Sequence, residues 1–203
     1  MTLLEIERKF SWKPANFRTL MSNRGCPRFM SAPIVQSKSF RDIYYDSNNK
    51  LSSNGLWVRK RLHYGPYAST STTNAGVWEA KQAMPGSSFT HSTYEETQDT
   101  NRILQMISKY IPRCLGREDH FGLKELCQFE TFRRSFLADH KFTVVLDETD
   151  FGHSTGEVEL LAEDAERAHA DIDAFLNRYE WFFDCSKPKG KLTAYFEKYP
   201  PSK

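Results

Sequence analysis

No run of about 20 apolar residues, the length a membrane-spanning helix needs, occurs in the 203-residue chain. A membrane partner is therefore not expected. Glycine-rich phosphate loops are missing as well: neither GxGxxG nor GxxxxGK[ST] is present, which excludes phosphate capture by a glycine cradle at a helix start. The six histidines (His63, His91, His120, His140, His153, His169) show no HExxH or paired spacing, so a histidine-built zinc site is not expected. The four cysteines (Cys26, Cys114, Cys127, Cys185) form no CxxC pair. With no cleavable apolar leader, reduced thiols and a cytoplasmic location are expected. Bulk charge is also lacking. Lysine and arginine total 28 against 26 acids, a net charge of +2, which argues against a nucleic-acid partner held by overall charge. Any strong electrostatics must be local.

What is present is a core-forming composition, with 39% hydrophobic and 14% aromatic residues, which marks a globular chain rather than a disordered one. The length suits one domain with a real core. No repeat or linker interrupts it, so residues 1–203 are read as a single domain.

Residues 3–10 read as a strand. "KPANFRTLMSNRG" follows as a helix, with Pro14 in its first turn, Phe17, Leu20 and Met21 on one stripe, and Gly25 to end it. "SFRDIYYD", "GLWVRKRL" and "VWEAKQAM" are strands bounded by turn-rich segments. The stretch 64–76, small and polar, reads as a tolerated surface loop between two of them. Residues 101–111 carry apolar side chains at helical spacing. "FETFRRSFL", "FTVVLDE" and "GEVELL" return to strand character, and "EDAERAHADIDAFLNRYEWFF" is the clearest helix. About eight strands with few helices between them predict an α+β fold on a mostly antiparallel sheet rather than βαβ winding.

The N-terminal "EIERKF" places Glu5, Glu7 and Lys9 at alternate positions. In a helix, Glu5 and Lys9 would be an ordinary i,i+4 ion pair. In a strand the three would share one face, spaced by roughly 7 Å. Other strands repeat the pattern. Trp57, Arg59 and Arg61 alternate, as do Glu79 and Lys81, and Glu157 and Glu159, while Arg133, Asp147 and Lys191 stand in three further segments read as strands. A half-solvated sheet also alternates apolar and polar residues, but it does not sort them by sign. If the sheet closes on itself, its inner face becomes a tunnel lined with both signs. Buried unpaired charge is costly, and a ligand bearing several phosphoryl groups, together with a hard cation, would balance it. Arginine forks match phosphate oxygens, and carboxylates suit Mg²⁺ or Mn²⁺.

On these residues the chain resembles the CYTH superfamily of triphosphate tunnel metalloenzymes, whose ExExK signature is met by Glu5, Glu7 and Lys9. It is most similar to the thiamine triphosphatase branch: "IERKF", "FRDIYYD", "LWVRKR", "WEAK", "LDETDFG", "GEVE" and "KLTAYF" occur in that branch's order. The resemblance implies a closed antiparallel β-barrel tunnel of about eight strands with helices packed outside. It implies that Glu5, Glu7, Glu157 and Glu159 hold Mg²⁺, with Mn²⁺ an alternative. Asp147 joins them as a metal-side candidate, although Val145 stands where the mammalian enzyme has a second acid. Lys9, Arg59, Arg61, Lys81, Arg133 and Lys191 would bind phosphate oxygens. Lys9 with Tyr44 would activate water, and Trp57 would stack on the thiamine moiety. A lysine flanked by cations has a lowered pKa, which suits base work near neutral pH. The implied activity is hydrolysis of thiamine triphosphate by a monomer acting on a small-molecule triphosphate. Inorganic tripolyphosphatase activity on the same tunnel is the alternative. Cyclase and RNA 5′-triphosphatase chemistry also occur among tunnel enzymes, so the fold does not choose among them. A noncatalytic triphosphate-binding module would be marked by loss of Lys9 or of the acids, and both are present.

Overall fold

Alternation along β1 (Leu4–Phe10) sends Ile6 and Phe10 into an apolar cluster and leaves Glu5, Glu7 and Lys9 on the opposite face. The computed structural model describes residues 3–64, 76–88, 91–112, 117–186 and 188–200. After β1 come α1 (Pro14–Ser22), β2 (Ile34–Asp46), β3 (Leu56–Tyr64), β4 (Val77–Ala83), β5 (His91–Thr97) and α2 (Thr100–Ser108). They are followed by β6 (Lys124–Ala138), β7 (Phe142–Thr149), β8 (Ser154–Ala162), α3 (Ala165–Arg178) and α4 (Lys191–Lys198). The strands form a sheet that closes in a ring, in the order β1-β5-β4-β3-β2-β6-β7-β8. The α+β expectation and the closed antiparallel sheet are therefore what the structure shows.

The chain divides into two compact units. In the first, made of the described residues within 1–37, 87–93 and 132–203, α3 presents Ala168, Ile172, Phe175 and Leu176 to Ile6, Phe10, Val144, Leu146 and Val158. This spacing puts one helical stripe on the apolar side of β1, β8 and β7. Asp164 caps the helix by accepting from the Arg167 backbone N–H at 3.0 Å. Arg8 shares that apolar side. Its guanidinium forks onto Asp173 of α3 at 3.0 and 3.1 Å, and its Nη1 lies 2.6 Å from His169 Nδ1. A charge on the core side of β1 is thereby neutralised by the helix that covers it.

In the second unit, within 38–86 and 94–131, α2 lays Ile103, Met106 and Ile107 against Leu56, Val58, Trp78 and Ala80. Asp99 caps it by accepting from the Arg102 N–H at 2.8 Å. Each helix thus covers the apolar face of strands whose other face is charged.

Several elements differ from their sequence reading. The "HSTYEET" segment forms β5, although it has no apolar alternation, because Ser92 and Thr93 are its buried residues. Lys191 begins a helix rather than lying in a strand. Helix α1 ends at Asn23, which takes the left-handed conformation (φ 45°, ψ 46°). Gly25, assigned to that ending, instead makes room for the Trp181 indole, whose ring atoms lie within 2.2 Å of where a Cβ would stand. Helix α2 stops at Ser108. Of the 64–76 loop, residues 65–75 lie outside the described residues. Among the described residues no helix is long and apolar enough to cross a membrane.

Candidate active site

In the first unit the pairing of β1 with β8 sets Lys9 opposite Glu157 and Glu7 opposite Glu159. The pairing of β7 with β8 sets Val145 opposite Glu157 and Asp147 opposite Thr155. Glu5, Glu7, Lys9, Glu157, Glu159 and Asp147 therefore share one face of a three-stranded wall. Two carboxylates directly opposite each other, Glu7 and Glu159, repel, and bases on the same wall offset this. Lys9 Nζ donates to Glu7 Oε1 and lies 3.6 Å from Glu157 Oε1.

Arg133 on β6 donates from Nε and Nη2 to the two oxygens of Asp147, both at 2.7 Å. The same guanidinium reaches within 3.8 Å of Glu157 and 4.0 Å of Glu159. Lys191, in the first turn of α4, donates to Asp147 Oδ2. Burial alone would push the Asp147 carboxyl upward, but Arg133 and Lys191 outweigh it and hold the group below the usual carboxylate range. For Arg133 burial lowers and Asp147, Glu159 and Glu157 raise, and the carboxylates prevail.

The second unit carries a parallel arrangement. Across β2 and β3, Tyr44 faces Arg59 and Asp42 faces Arg61. Across β3 and β4, Arg59 faces Glu79 and Trp57 faces Lys81. Arg59 donates from Nε to Glu79 Oε2 at 2.7 Å and from Nη2 to Glu96 at 3.2 Å, and its Nη1 lies 3.5 Å from the Tyr44 hydroxyl. Lys81 Nζ sits 4.3 Å from the centre of the Tyr94 ring, within cation–π range. Burial lowers the Arg59 pKa, and Asp42, Tyr44, Glu79 and Glu96 more than reverse it. The Glu79 carboxyl is raised by burial but held below its ordinary value overall by Arg59 and Arg61.

A family model described as CYTH domain matches residues 3–186. The chain belongs to the CYTH domain family. Human (Homo sapiens) thiamine-triphosphatase is 30% identical in a 184-residue alignment, with 81% of this chain and 71% of the human one covered. A solved protein of Pyrococcus horikoshii OT3 superposes with a TM-score of 0.63 at 18% identity, over 96% of this chain and 99% of its own. A Hippeastrum protein described as revealing a dominant triphosphatase activity superposes at 0.62 with 18% identity, over 97% of this chain and 96% of its own. These two likenesses establish the fold.

Of the residues that the family resemblance implied, this CYTH domain places Glu5, Glu7, Lys9, Arg133, Asp147, Glu157, Glu159 and Lys191 in the first unit. It places Tyr44, Trp57, Arg59, Arg61 and Lys81 in the second. Three carboxylates that engage these bases stood outside the implied set, Asp42, Glu79 and Glu96. Alternation with Tyr44 in "FRDIYYD" and with Lys81 in "WEAK" is the signal that put Asp42 and Glu79 on their charged faces.

The fit to a divalent cation rests on the donors. As the side chains stand, no three His, Cys, Asp or Glu among the described residues converge to hold a metal ion, because the carboxylates turn to bases. The donors themselves, Glu5, Glu7, Glu157 and Glu159 with Glu7 and Glu159 face to face, are the oxygen set a hard cation takes.

Proposed function

We propose that this CYTH domain hydrolyses thiamine triphosphate to thiamine diphosphate and phosphate. The observation that carries the reading is the acid-and-base wall on which Lys9 lies between Glu7 and Glu157 while Arg133 and Lys191 share Asp147. The 30% identity to human thiamine-triphosphatase supports the choice of substrate.

Phosphoryl transfer requires positioning and charge stabilisation more than covalent chemistry. Lys9, Arg133 and Lys191 are proposed to exchange carboxylate partners for phosphate oxygens and to stabilise charge that develops there, and in the second unit Arg59, Arg61 and Lys81 are proposed to bind phosphate oxygens. Water attacks the terminal phosphorus as the bridging P–O bond breaks. Lys9 and Tyr44 are the groups proposed to orient the water and take its proton, and Lys9 becomes available when Glu7 and Glu157 are engaged elsewhere. Mg²⁺, or Mn²⁺, held by Glu5, Glu7, Asp147, Glu157 and Glu159 would neutralise phosphate charge. Trp57 is proposed to pack on the thiamine. The protein is proposed to act as a monomer on a small molecule, with no nucleic-acid or membrane partner, in the cytoplasm.

The test is phosphate release by the purified protein with Mg²⁺, comparing thiamine triphosphate, tripolyphosphate and ATP at matched low concentrations. Preference for thiamine triphosphate is expected. Preference for tripolyphosphate would replace the substrate assignment with an inorganic tripolyphosphatase, and no release from any of the three would remove the hydrolase reading.

A further inference from the structure

Asp42 on β2 is fully buried, with 0% of its surface exposed. Its two oxygens accept from Arg61 Nε at 2.7 Å and Arg61 Nη2 at 2.8 Å, and Oδ2 lies 3.9 Å from Arg59 Nη1. Phe40, two residues earlier on the same face, puts its ring centre 4.0 Å from the Arg61 guanidinium carbon. Glu79 Oε2 bonds Arg59 and lies 3.4 Å from Arg61 Nη1, and Gln98 fixes the other Glu79 oxygen at 3.0 Å.

Arg61 is thus gripped along one edge by Asp42 and covered on one face by Phe40. These contacts orient its guanidinium from an edge and a face at once. A buried ion pair is weak evidence for stability, since well-packed apolar residues often do as well. What the fork does supply is preorganisation, because an arginine already fixed in one rotamer loses little freedom when an anion binds.

We propose that Asp42 is a positioning residue: by holding Arg61, it sets the orientation in which that arginine meets a phosphate oxygen of the triphosphate. This rests on the hydrolase reading above. It makes a prediction opposite to that of simple charge. Asp42→Asn removes a negative charge from a cluster that receives an anion, so charge alone predicts tighter binding. The amide also puts a donor against an Arg61 donor and breaks the fork, so positioning predicts loss.

The experiment measures kcat and KM for tripolyphosphate and thiamine triphosphate in the wild type, Asp42→Asn, Asp42→Glu, Arg61→Lys and the Asp42→Asn/Arg61→Lys double variant, with melting curves for each. Asp42→Glu keeps the charge but moves the carboxylate by about one methylene, and misplacement on that scale costs roughly tenfold to a hundredfold. The expected result is a loss of that size in kcat/KM for both single Asp42 variants. No further loss is expected in the Arg61→Lys background, where a lysine has no fork to hold. Tighter binding or unchanged kcat/KM in Asp42→Asn, normal activity in Asp42→Glu, or losses that multiply in the double variant would overturn the proposal. So would failure of both Asp42 variants to fold, because the role would then be structural. A wild type that hydrolyses neither substrate defeats the hydrolase reading itself, which the wild-type arm detects independently of Asp42.

Discussion

Lys191, the first residue of α4, and Arg133 of β6 converge on the two oxygens of Asp147, a residue 1% exposed. Two partly buried bases therefore share one buried carboxylate. Replacing Asp147 with Asn takes that partner from both, while Arg133 keeps its longer contacts to Glu157 at 3.8 Å and Glu159 at 4.0 Å, and breaking a buried pair from one side costs about 3 kcal/mol or more. Lys191→Met leaves the Arg133 fork in place and should cost only about 1 kcal/mol. Urea unfolding of the two variants measures the order, and equal destabilisation would show that Asp147 does not anchor the pair of bases.

Gly156 lies opposite Phe10 in the β1–β8 register, and a Cβ built on it would stand 2.3 to 2.7 Å from the Phe10 ring. The ring cannot retreat, since Phe10 is fully buried with Phe183 edge-on at 4.8 Å and Phe182 at 6.0 Å. Gly156→Ala should destabilise by about 1–3 kcal/mol through overpacking. Because Glu157 is the next residue, the displaced strand should also lower activity. A melting temperature equal to that of the wild type would mean that the strand shifts without cost.

Glu79 carries a pH signature. Its folded pKa is depressed overall by Arg59 and Arg61, against the upward push of burial. The unfolded chain therefore binds a proton at higher pH than the folded one, and stability rises with pH across that window. The contribution is complete above the ordinary glutamate range, about pH 4–5, and is lost as pH falls through the depressed folded value. Glu79→Gln should thus be less stable than the wild type at pH 7, and the gap in melting temperature should narrow by pH 3. A gap that stays constant would assign the loss to packing instead.

The charged rows were legible because alternation and sorting by sign are local properties, so Glu5, Glu7, Lys9, Glu157 and Glu159 fall on one wall as their spacing implied. The partners were not legible, because they depend on register and tertiary packing. Arg8 looks out of place beside Ile6 until Asp173, 165 residues away, meets it from α3. Asp42 reads as an ordinary polar strand residue until the β2–β3 register sets it against Arg61. "KLTAYFEK", with its threonine and aromatics, suggests a strand, yet it forms a helix after Gly190 and delivers Lys191 to Asp147. In β5 the buried side chains are Ser92 and Thr93, with Ser92 bonded to the Ser88 carbonyl at 2.9 Å and Thr93 to His169 at 2.9 Å. Hydrophobic periodicity has nothing to register in such a strand.

Trp57 shares its strand face with Arg59 and Arg61 and stands half-buried opposite Lys81. Thiamine carries a cationic ring, and a cation against a desolvated tryptophan face is worth about 2 kcal/mol. Inorganic tripolyphosphate has no such ring. Trp57→Ala should therefore raise KM for thiamine triphosphate by roughly 30-fold, the equivalent of that energy, while leaving KM for tripolyphosphate nearly unchanged. The comparison separates recognition of the organic moiety from binding of the phosphate chain, because both substrates present the same phosphoryl groups to the same bases. Equal increases for the two would mean that Trp57 acts by supporting Arg59 and Arg61 on β3, and would remove it from recognition of the proposed thiamine ester.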